Sequence, residues 1–325
     1  MAVYTNLNKD QVKNFLKLYE IGNLISFSGI TEGIENTNFY LKTSYGNYIL
    51  TIFEKRVNVK DIPFFIEIML HLNKKGISCP KPICDKKNNF LQDLKGKPTI
   101  IVNFLEGKSK KNFTSIDCYQ VGSSMGLLHF YSKDFELQRH NSLSITGWKM
   151  LIKNCNNSVP VSILDKLEPG LMKDIQNSFD FIVKFWPRDL PKGFIHGDLF
   201  PDNVFFINDK ITGLIDFYFS CTDILIYDLA IAINAWCFDE ENNFQNKKYQ
   251  AILKGYNSIR KLSNDERFFL PLLCQAASLR FLLTRLFDWV NTPIDANVVP
   301  KNPEEYIKKH KYFKKLVKGI KYLEN

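Results

Sequence analysis

Phe194-Ile195-His196-Gly197-Asp198-Leu199-Phe200-Pro201-Asp202-Asn203 carries a carboxylate, Asp198, and an amide, Asn203, five positions apart in one short polar segment. Thirteen residues after Asn203 comes Asp216, within Ile215-Asp216-Phe217. Between them Val204-Phe-Phe-Ile207 and Ile211-Thr-Gly-Leu-Ile215 are strand-like runs joined by Asn208-Asp209-Lys210. That pattern predicts a small β-hairpin. A hairpin there returns the chain, so Asp216 emerges beside the loop that holds Asp198 and Asn203.

Transfer of a phosphoryl group to an alcohol asks the protein mainly for positioning and electrostatics. A carboxylate must accept the hydrogen bond of the attacking hydroxyl. Oxygen ligands must hold Mg2+, which takes a few protein oxygens and completes its shell with phosphate and water. Something must also neutralise charge on the phosphates. The pattern supplies the first two: Asp198 as the base, Asn203 and Asp216 as metal ligands. His196 reads as structural, bracing the loop near Asp216, and Asp228 as a cap or brace for the same loop.

Upstream, Val12, Phe15, Leu16 and Tyr19 fall at helical spacing and predict a short amphipathic helix over 8–20. Phe39, Leu41 and Thr43 alternate, as do Tyr48, Leu50 and Ile52, around the turn cluster Ser44-Tyr45-Gly46-Asn47, which predicts a hairpin. Residues 60–75 form a helix with Pro63 near its first turn and Gly76 just past its end. Residues 98–105 are a buried-strand candidate, and Glu106-Gly107-Lys108-Ser109 breaks the pattern. The boundary falls there. The expectation is a first lobe over residues 1–106, β-rich with one helix. Residues 107–325 are expected to form a mainly helical second lobe that contains the Asp198 segment, with helices over 115–132, 160–186, 223–237, 241–260, 264–291 and 303–323.

H-G-D-x-x-x-x-N followed by D-F resembles the H-R-D-x-x-x-x-N and D-F-G of the protein-kinase-like fold. Gly197 in place of Arg, and Tyr218 in place of the final Gly, resemble its small-molecule branch, the aminoglycoside phosphotransferases, choline kinases and relatives. Further segments resemble the bacterial homoserine kinases of that branch. They are Gly33-Ile-Glu-Asn-Thr-Asn-Phe39, Tyr48-Ile-Leu-Thr-Ile-Phe-Glu-Lys-Arg56, Pro63-Phe-Phe65 with Met69-Leu-His-Leu72, and Phe104-Leu-Glu-Gly107. Arg139-His-Asn141, Tyr227-Asp-Leu-Ala-Ile231, Asn234-Ala-Trp-Cys-Phe238, Leu279 to Asp288 and Lys301-Asn-Pro-Glu-Glu-Tyr306 continue the series, so that it spans residues 29–306. The resemblance implies an α+β, bilobal protein-kinase-like fold, a small antiparallel β-rich N-lobe with one helix and a larger helical C-lobe. It implies ATP and Mg2+ as cofactors, homoserine as acceptor, and O-phosphohomoserine and ADP as products on the route to threonine. Another alcohol kinase of the superfamily, with a choline, methylthioribose or aminoglycoside-like acceptor, and a non-catalytic nucleotide-binding relative are the alternative readings.

The loop before the first hairpin stands where a phosphate-covering loop belongs. Backbone N–H groups of a Gly-containing turn can cradle phosphate, which points to Gly33 with Asn36 and Thr37 as side-chain donors; an ordinary turn is the other reading. Kinases place a Lys in V-A-I-K on the third strand, where this chain has Thr51. Lys55 or Arg56, just downstream, are candidates for the missing cation, and Glu67 could pair with such a cation or lie on a solvated helix face. An amino-acid acceptor needs a cation for its carboxylate, for which a bidentate Arg is suited. Arg280, Thr284 and Asp288 form one polar stripe on an apolar helix, either a substrate wall or an internal Arg–Asp bridge. Arg139 with Asn141, and Asn234 with Trp236, are further substrate-binding candidates.

Composition narrows the class. The chain has 325 residues, enough for two lobes, and its 45% hydrophobic content excludes disordered and fibrous classes. Its net charge of +9 comes with only seven Arg. Arg supplies the planar fork that reads phosphate and guanine, so no nucleic-acid partner is expected. Eight Lys and three Glu lie in residues 301–325, which read as a terminal helix with one face docked and its Lys in water. The seven Cys include no CxxC and no zinc spacing, so buried thiols in a reducing compartment are expected. No basic leader precedes an apolar run, and no apolar stretch of about 18 residues is free of charge. The expectation is a cytoplasmic protein with small-molecule partners and no membrane span; oligomeric state is not read from the sequence.

Overall fold

The computed structural model describes residues 4–31, 36–54, 57–158, 161–292 and 300–317. In chain order its elements are α1 (Lys9–Leu16), β1 (Leu24–Ile30), β2 (Thr37–Thr43), β3 (Asn47–Ile52), α2 (Ile62–Lys74), β4 (Pro82–Ile83), β5 (Gln92–Leu94) and β6 (Lys97–Asn103). Then follow α3 (Ser115–Tyr131), α4 (Ile145–Ser158), α5 (Val161–Leu164), α6 (Leu171–Lys184), β7 (Lys192–Ile195), β8 (Val204–Ile207), β9 (Lys210–Leu214) and β10 (Cys221–Ile224). Helices α7 (Leu225–Trp236), α8 (Asn246–Ile259), α9 (Asn264–Asn291) and α10 (Glu304–Leu316) complete the order. The chain divides into two compact units. The first comprises Met1–Lys110, Phe135–Arg139 and Asp202–Ser220; the second comprises Lys111–Asp134, His140–Pro201 and Cys221–Asn325.

The first unit is built on a six-stranded sheet with the path β1-β2-β3-β6-β4 and β5 paired to β6, all antiparallel. The alternation read from Phe39 to Ile52 sets the register, with Phe39 opposite Leu50 and Thr37 opposite Ile52. Val12, Phe15, Leu16 and Tyr19 of α1 and its end bury against Phe39, Leu41, Leu50, Ile52 and Ile101. Asn8 caps α1 in a reciprocal box with Gln11, which satisfies two of the N–H groups that a helix start leaves open. The hairpin β8–β9 belongs to this unit too. Its turn places Asn208 and Asp209 at φ 47° and 62°, the left-handed pair that a tight hairpin requires and Asn and Asp tolerate.

The second unit is mostly helix. Gly122 and Gly255 let the backbones of α3 and α8 touch: a Cβ at Gly122 would lie 2.1 Å from the Ile252 carbonyl oxygen, and one at Gly255 2.0 Å from that of Tyr119. The long α9 starts at Ser263, boxed with Glu266. It is long and apolar enough to cross a membrane, but 78% of its most apolar window is buried inside the fold, as in a core helix. The stretch expected as one helix over 160–186 contains α5 and α6, interrupted before Gly170 at φ 73°, and α4 was not foreseen. In α10 Tyr306, Ile307, His310 and Phe313 are buried, as a docked face requires, while Leu316 is exposed and Lys309 is buried, 4% exposed. That corrects the expectation that all its lysines lie in water. Lys309 Nζ donates to the Asn234 carbonyl at 2.9 Å and to Glu305 at 2.6 Å, which offsets the cost of burying its charge. All seven cysteines are free thiols and six of them are buried.

Backbone contact at α3–α8 leaves no room for a methyl group. Gly255→Ala should therefore lower the unfolding free energy by about 1–3 kcal/mol or more, read as a shift of the denaturant midpoint. An unshifted midpoint would show that the two helices separate at little cost.

Candidate active site

The loop bearing Asp198 leaves β7, which pairs with β10 through Ile195 opposite Cys221. Every peptide around Asp198 is tied down within the second unit. The N–H groups of His196 and Gly197 donate to the two carboxylate oxygens of Asp228, at 2.8 and 2.9 Å. The Gly197 carbonyl accepts from Arg280 Nη1 at 2.5 Å, and the Leu199 carbonyl from Trp236 Nε1 at 2.8 Å. The Asp198 N–H donates to His196 Nδ1 at 3.3 Å. Gly197 has φ 77°, a conformation open to glycine, which explains why the motif has Gly there. Asp198 itself is half-buried, its carboxyl borne by a rigid backbone.

Asp228 is fully buried. Burial alone would raise its pKa. The hydrogen bond and charge of His129, the charge of His196 and the Gly197 N–H outweigh burial and hold it below the ordinary carboxylate value. His129 Nε2 lies 3.2 Å from Asp228 Oδ2, and its Nδ1 2.8 Å from the Tyr256 hydroxyl. Tyr256 in turn accepts from Arg260, which pairs with Glu266 at 2.7 Å. His129 was given no role from the sequence. Its partners are 99 and 127 residues away, and no local spacing points to them.

Asn203 and Asp216 lie together in the first unit. The β8–β9 ladder pairs Val204 with Leu214, and the Ile215 N–H then donates to the Asn203 carbonyl at 3.0 Å. Asp216 adopts φ 64°, ψ 63°, a left-handed backbone that non-glycine residues hold at a cost of about 1–3 kcal/mol, and which clusters at functional sites. An amide and a carboxylate brought to one hairpin end are hard oxygen donors, and they suit Mg2+ that takes its other ligands from phosphate and water. Among the described residues no group of three or more His, Cys, Asp or Glu is placed to hold a metal by itself.

Two residues past Asp216, the Tyr218 ring packs edge-on against Phe53 and Phe65, with centroids 5.0 and 5.9 Å away. Its hydroxyl, raised in pKa by burial, shares a hydrogen bond with Thr51. Thr51 is buried and donates to Asn38 Oδ1 at 2.8 Å. A neutral hydrogen-bonded chain thus occupies the third-strand position that carries Lys in kinases.

The remaining candidates divide. Gly33, Lys55 and Arg56 lie outside the described residues. Asn36 accepts the Glu54 N–H, and the buried Thr37 hydroxyl donates to Glu54 at 2.8 Å while accepting the N–H groups of Tyr4 and Thr5. Lys97 and Thr5 also bind Glu54, so both candidates take part in closing the β2–β3 end. Arg139 Nε donates to Asp61 at 2.7 Å, its Nη1 to the Ser220 carbonyl at 3.0 Å, and its guanidinium lies over Phe65. Asn141 donates to Asp223 at 2.7 Å. Asn234 is fully buried and gives both amide hydrogens to carbonyls of α7 and α9, at Ala230 and Cys274. Arg280 is 5% exposed, whereas Asp288, two turns on, is partly exposed.

A phosphotransferase enzyme family matches residues 26–262. The homoserine kinase of Sinorhizobium medicae is 45% identical over 322 residues, 99% of this chain and 97% of the relative. That of Agrobacterium fabrum is 44% identical over 322 residues, covering 99% and 98%. An amicoumacin kinase solved with AMP-PNP and Ca2+ superposes with TM-score 0.69 at 15% identity, over 96% of this chain and 93% of that one. A spectinomycin phosphotransferase solved with ADP and spectinomycin gives TM-score 0.68 at 15% identity, over 96% and 95%. The fold is that of these kinases, α+β with an antiparallel sheet in its first part and helices in its second, as expected.

Asp228→Asn would set an amide N–H2 group against two backbone N–H donors that now share a carboxylate. It should lower the unfolding free energy by roughly 3–5 kcal/mol at neutral pH. Because the folded-state pKa is depressed, the carboxylate's contribution is complete above about pH 4 and is lost as pH falls through the lower folded value. Stability of the variant should therefore fall less steeply than wild type below about pH 4, measured by denaturant titration across pH. Parallel slopes would show that Asp228 titrates normally.

Proposed function

The chain belongs to the phosphotransferase enzyme family, among the homoserine kinases that match nearly its whole length, and we propose that it phosphorylates the side-chain hydroxyl of L-homoserine with ATP. The products are O-phospho-L-homoserine and ADP, in threonine biosynthesis in the cytoplasm. The reading is carried by one arrangement: a half-buried carboxylate on a loop whose flanking peptides are tied down, five residues before an Asn–Asp oxygen pair closed by a hairpin. The acceptor is taken from the relatives.

Asp198 accepts the hydrogen bond of the homoserine hydroxyl, which orients the oxygen for in-line attack. As the new bond from that oxygen to the γ-phosphorus forms, the bond from the γ-phosphorus to the β–γ bridging oxygen breaks. The hydroxyl proton passes to Asp198, and ADP leaves with the bond electrons. Asn203 and Asp216 would hold Mg2+, which would neutralise charge on the phosphate oxygens. Gly33 and Arg56, outside the described residues, stay candidates for the nucleotide by the resemblance alone, while Asn36 and Thr37 support the end of the β2–β3 pair. Asp288, partly exposed on the polar stripe of α9, is the substrate-wall candidate, and its carboxylate suits the ammonium group of an amino-acid acceptor.

Coupled ADP release across homoserine, choline, methylthioribose, serine and aminoglycosides should give homoserine the highest kcat/KM. A different preferred acceptor would replace homoserine while leaving the alcohol-kinase reading in place. Asp198→Asn should cut kcat by about 10²–10⁴-fold with ATP affinity kept in equilibrium binding; turnover near wild type would remove Asp198 from the role of base.

A further inference from the structure

Arg280 was an acceptor clamp or a helix brace by sequence, and its geometry fits a third task. Its guanidinium is 5% exposed on an apolar helix and lies 4.2 Å from the Phe281 ring centre. Burying such a charge without strong partners costs several kcal/mol. One partner is the carbonyl of Gly197, the residue immediately before Asp198. A charge-assisted bond to a carbonyl is among the stronger hydrogen bonds a protein makes, and the Phe281 face adds a cation–π contact.

Gly197 is the soft point of the loop, since glycine accepts both signs of φ. The peptide on its N-terminal side is fixed by Asp228, which accepts its N–H. The peptide on its C-terminal side carries the Asp198 N–H, and Arg280 holds its carbonyl. With both planes fixed, the Gly197 torsions are set, and so is the direction in which the Asp198 side chain leaves the backbone. Trp236 then fixes the Leu199 carbonyl on the other side of Asp198. Both restraints on Gly197 lead to α9: Arg280 directly, and Asp228 through His129, Tyr256 and Arg260 to Glu266 in its first turn.

We propose that Arg280 is a positioning residue, holding the Gly197–Asp198 peptide plane so that Asp198 meets the acceptor hydroxyl in reactive geometry, with Trp236 as its counterpart at Leu199. The inference rests on the reading of Asp198 as the base. It differs from an acceptor clamp in what the kinetics should show. An interaction that matters in the transition state alone lowers kcat and leaves KM, whereas a clamp on bound acceptor raises its KM.

The test is steady-state kinetics of Arg280→Met and Trp236→Phe with ATP and homoserine each varied, beside hydrogen exchange of the His196–Leu199 amides. Arg280→Met should lose about tenfold to a hundredfold in kcat, the range that a misplaced group costs, with both KM values held within about threefold. The loop amides should lose protection while α9 keeps its own. Trp236→Phe should shift kcat in the same direction by a smaller factor. A rise in homoserine KM with kcat kept would overturn the proposal in favour of the acceptor clamp, and unchanged loop protection would overturn it outright. Should Arg280→Met fail to fold, Arg280→Lys keeps a charge and a donor on a shorter reach, and the same split of kcat against KM decides. If the wild type phosphorylates no alcohol in the panel, the acceptor reading fails by itself, and loop protection in the variant still decides the role of Arg280.

Discussion

Two backbone N–H groups, those of His196 and Gly197, end on one carboxylate that no solvent reaches. An ionised Asp228 would be costly in that position unless its oxygens were filled. Two N–H donors and the His129 imidazole fill them. The dependence runs both ways: the loop needs the acceptor because it has left the ladder of β7, and the acceptor needs the loop because it is buried. The other nitrogen of His129 is held by Tyr256 of α8, whose backbone lies against α3 where Gly122 and Gly255 permit it. The helix contact at Gly122 and Gly255 and the buried carboxylate thus belong to one connected set of restraints on the loop that carries Asp198.

The oxygen pair is positioned by different means. Asn203 and Asp216 are joined through the hairpin ladder and the Ile215–Asn203 hydrogen bond, local structure with a contact distance of a few residues along the hairpin. Asp216 then holds a left-handed backbone, followed by the Tyr218 ring set among Phe53 and Phe65. Aromatic packing and the Thr51 hydroxyl hold the Tyr218 side chain without a charge. The Thr51 hydroxyl bonds Asn38 and Tyr218, so a neutral hydrogen-bonded group fills the position where kinases carry Lys.

What could be read in advance was what repeats locally. The β2–β3 and β8–β9 hairpins, α2, α3 and α9 follow from period and turn chemistry within some twenty residues, and so does the Asp198–Asn203–Asp216 spacing. The 160–186 segment misled because its apolar period runs on through Pro169-Gly170, where the backbone turns left-handed. His129 and Tyr256 were invisible because their meaning lies in each other, across 127 residues. Thr37 and Asn36 looked like donors for a ligand; their partner, Glu54, is brought alongside by strand pairing. Lys309 looked solvated because its helix is Lys-rich, and only the tertiary fold supplies the Asn234 carbonyl that takes it inward.

The scarcity of arginine proved informative for a physical reason. Several of the arginines bridge two acceptors in different directions: Arg139 joins Asp61 to the Ser220 carbonyl, Arg260 joins Tyr256 to Glu266, and Arg285 joins Glu305 to the Asn302 carbonyl. Arg280 combines a carbonyl with an aromatic face. A planar fork does this with few rotamers lost per bond, whereas an ammonium is a strongly hydrated point charge on a flexible stem. In a chain that uses Lys freely on its surface, an Arg retained in the interior therefore marks a place where two directions must be held at once. The backbone after Asp216 and the backbone before Asp198 meet that condition: Arg139 holds the carbonyl of Ser220 and Arg280 that of Gly197.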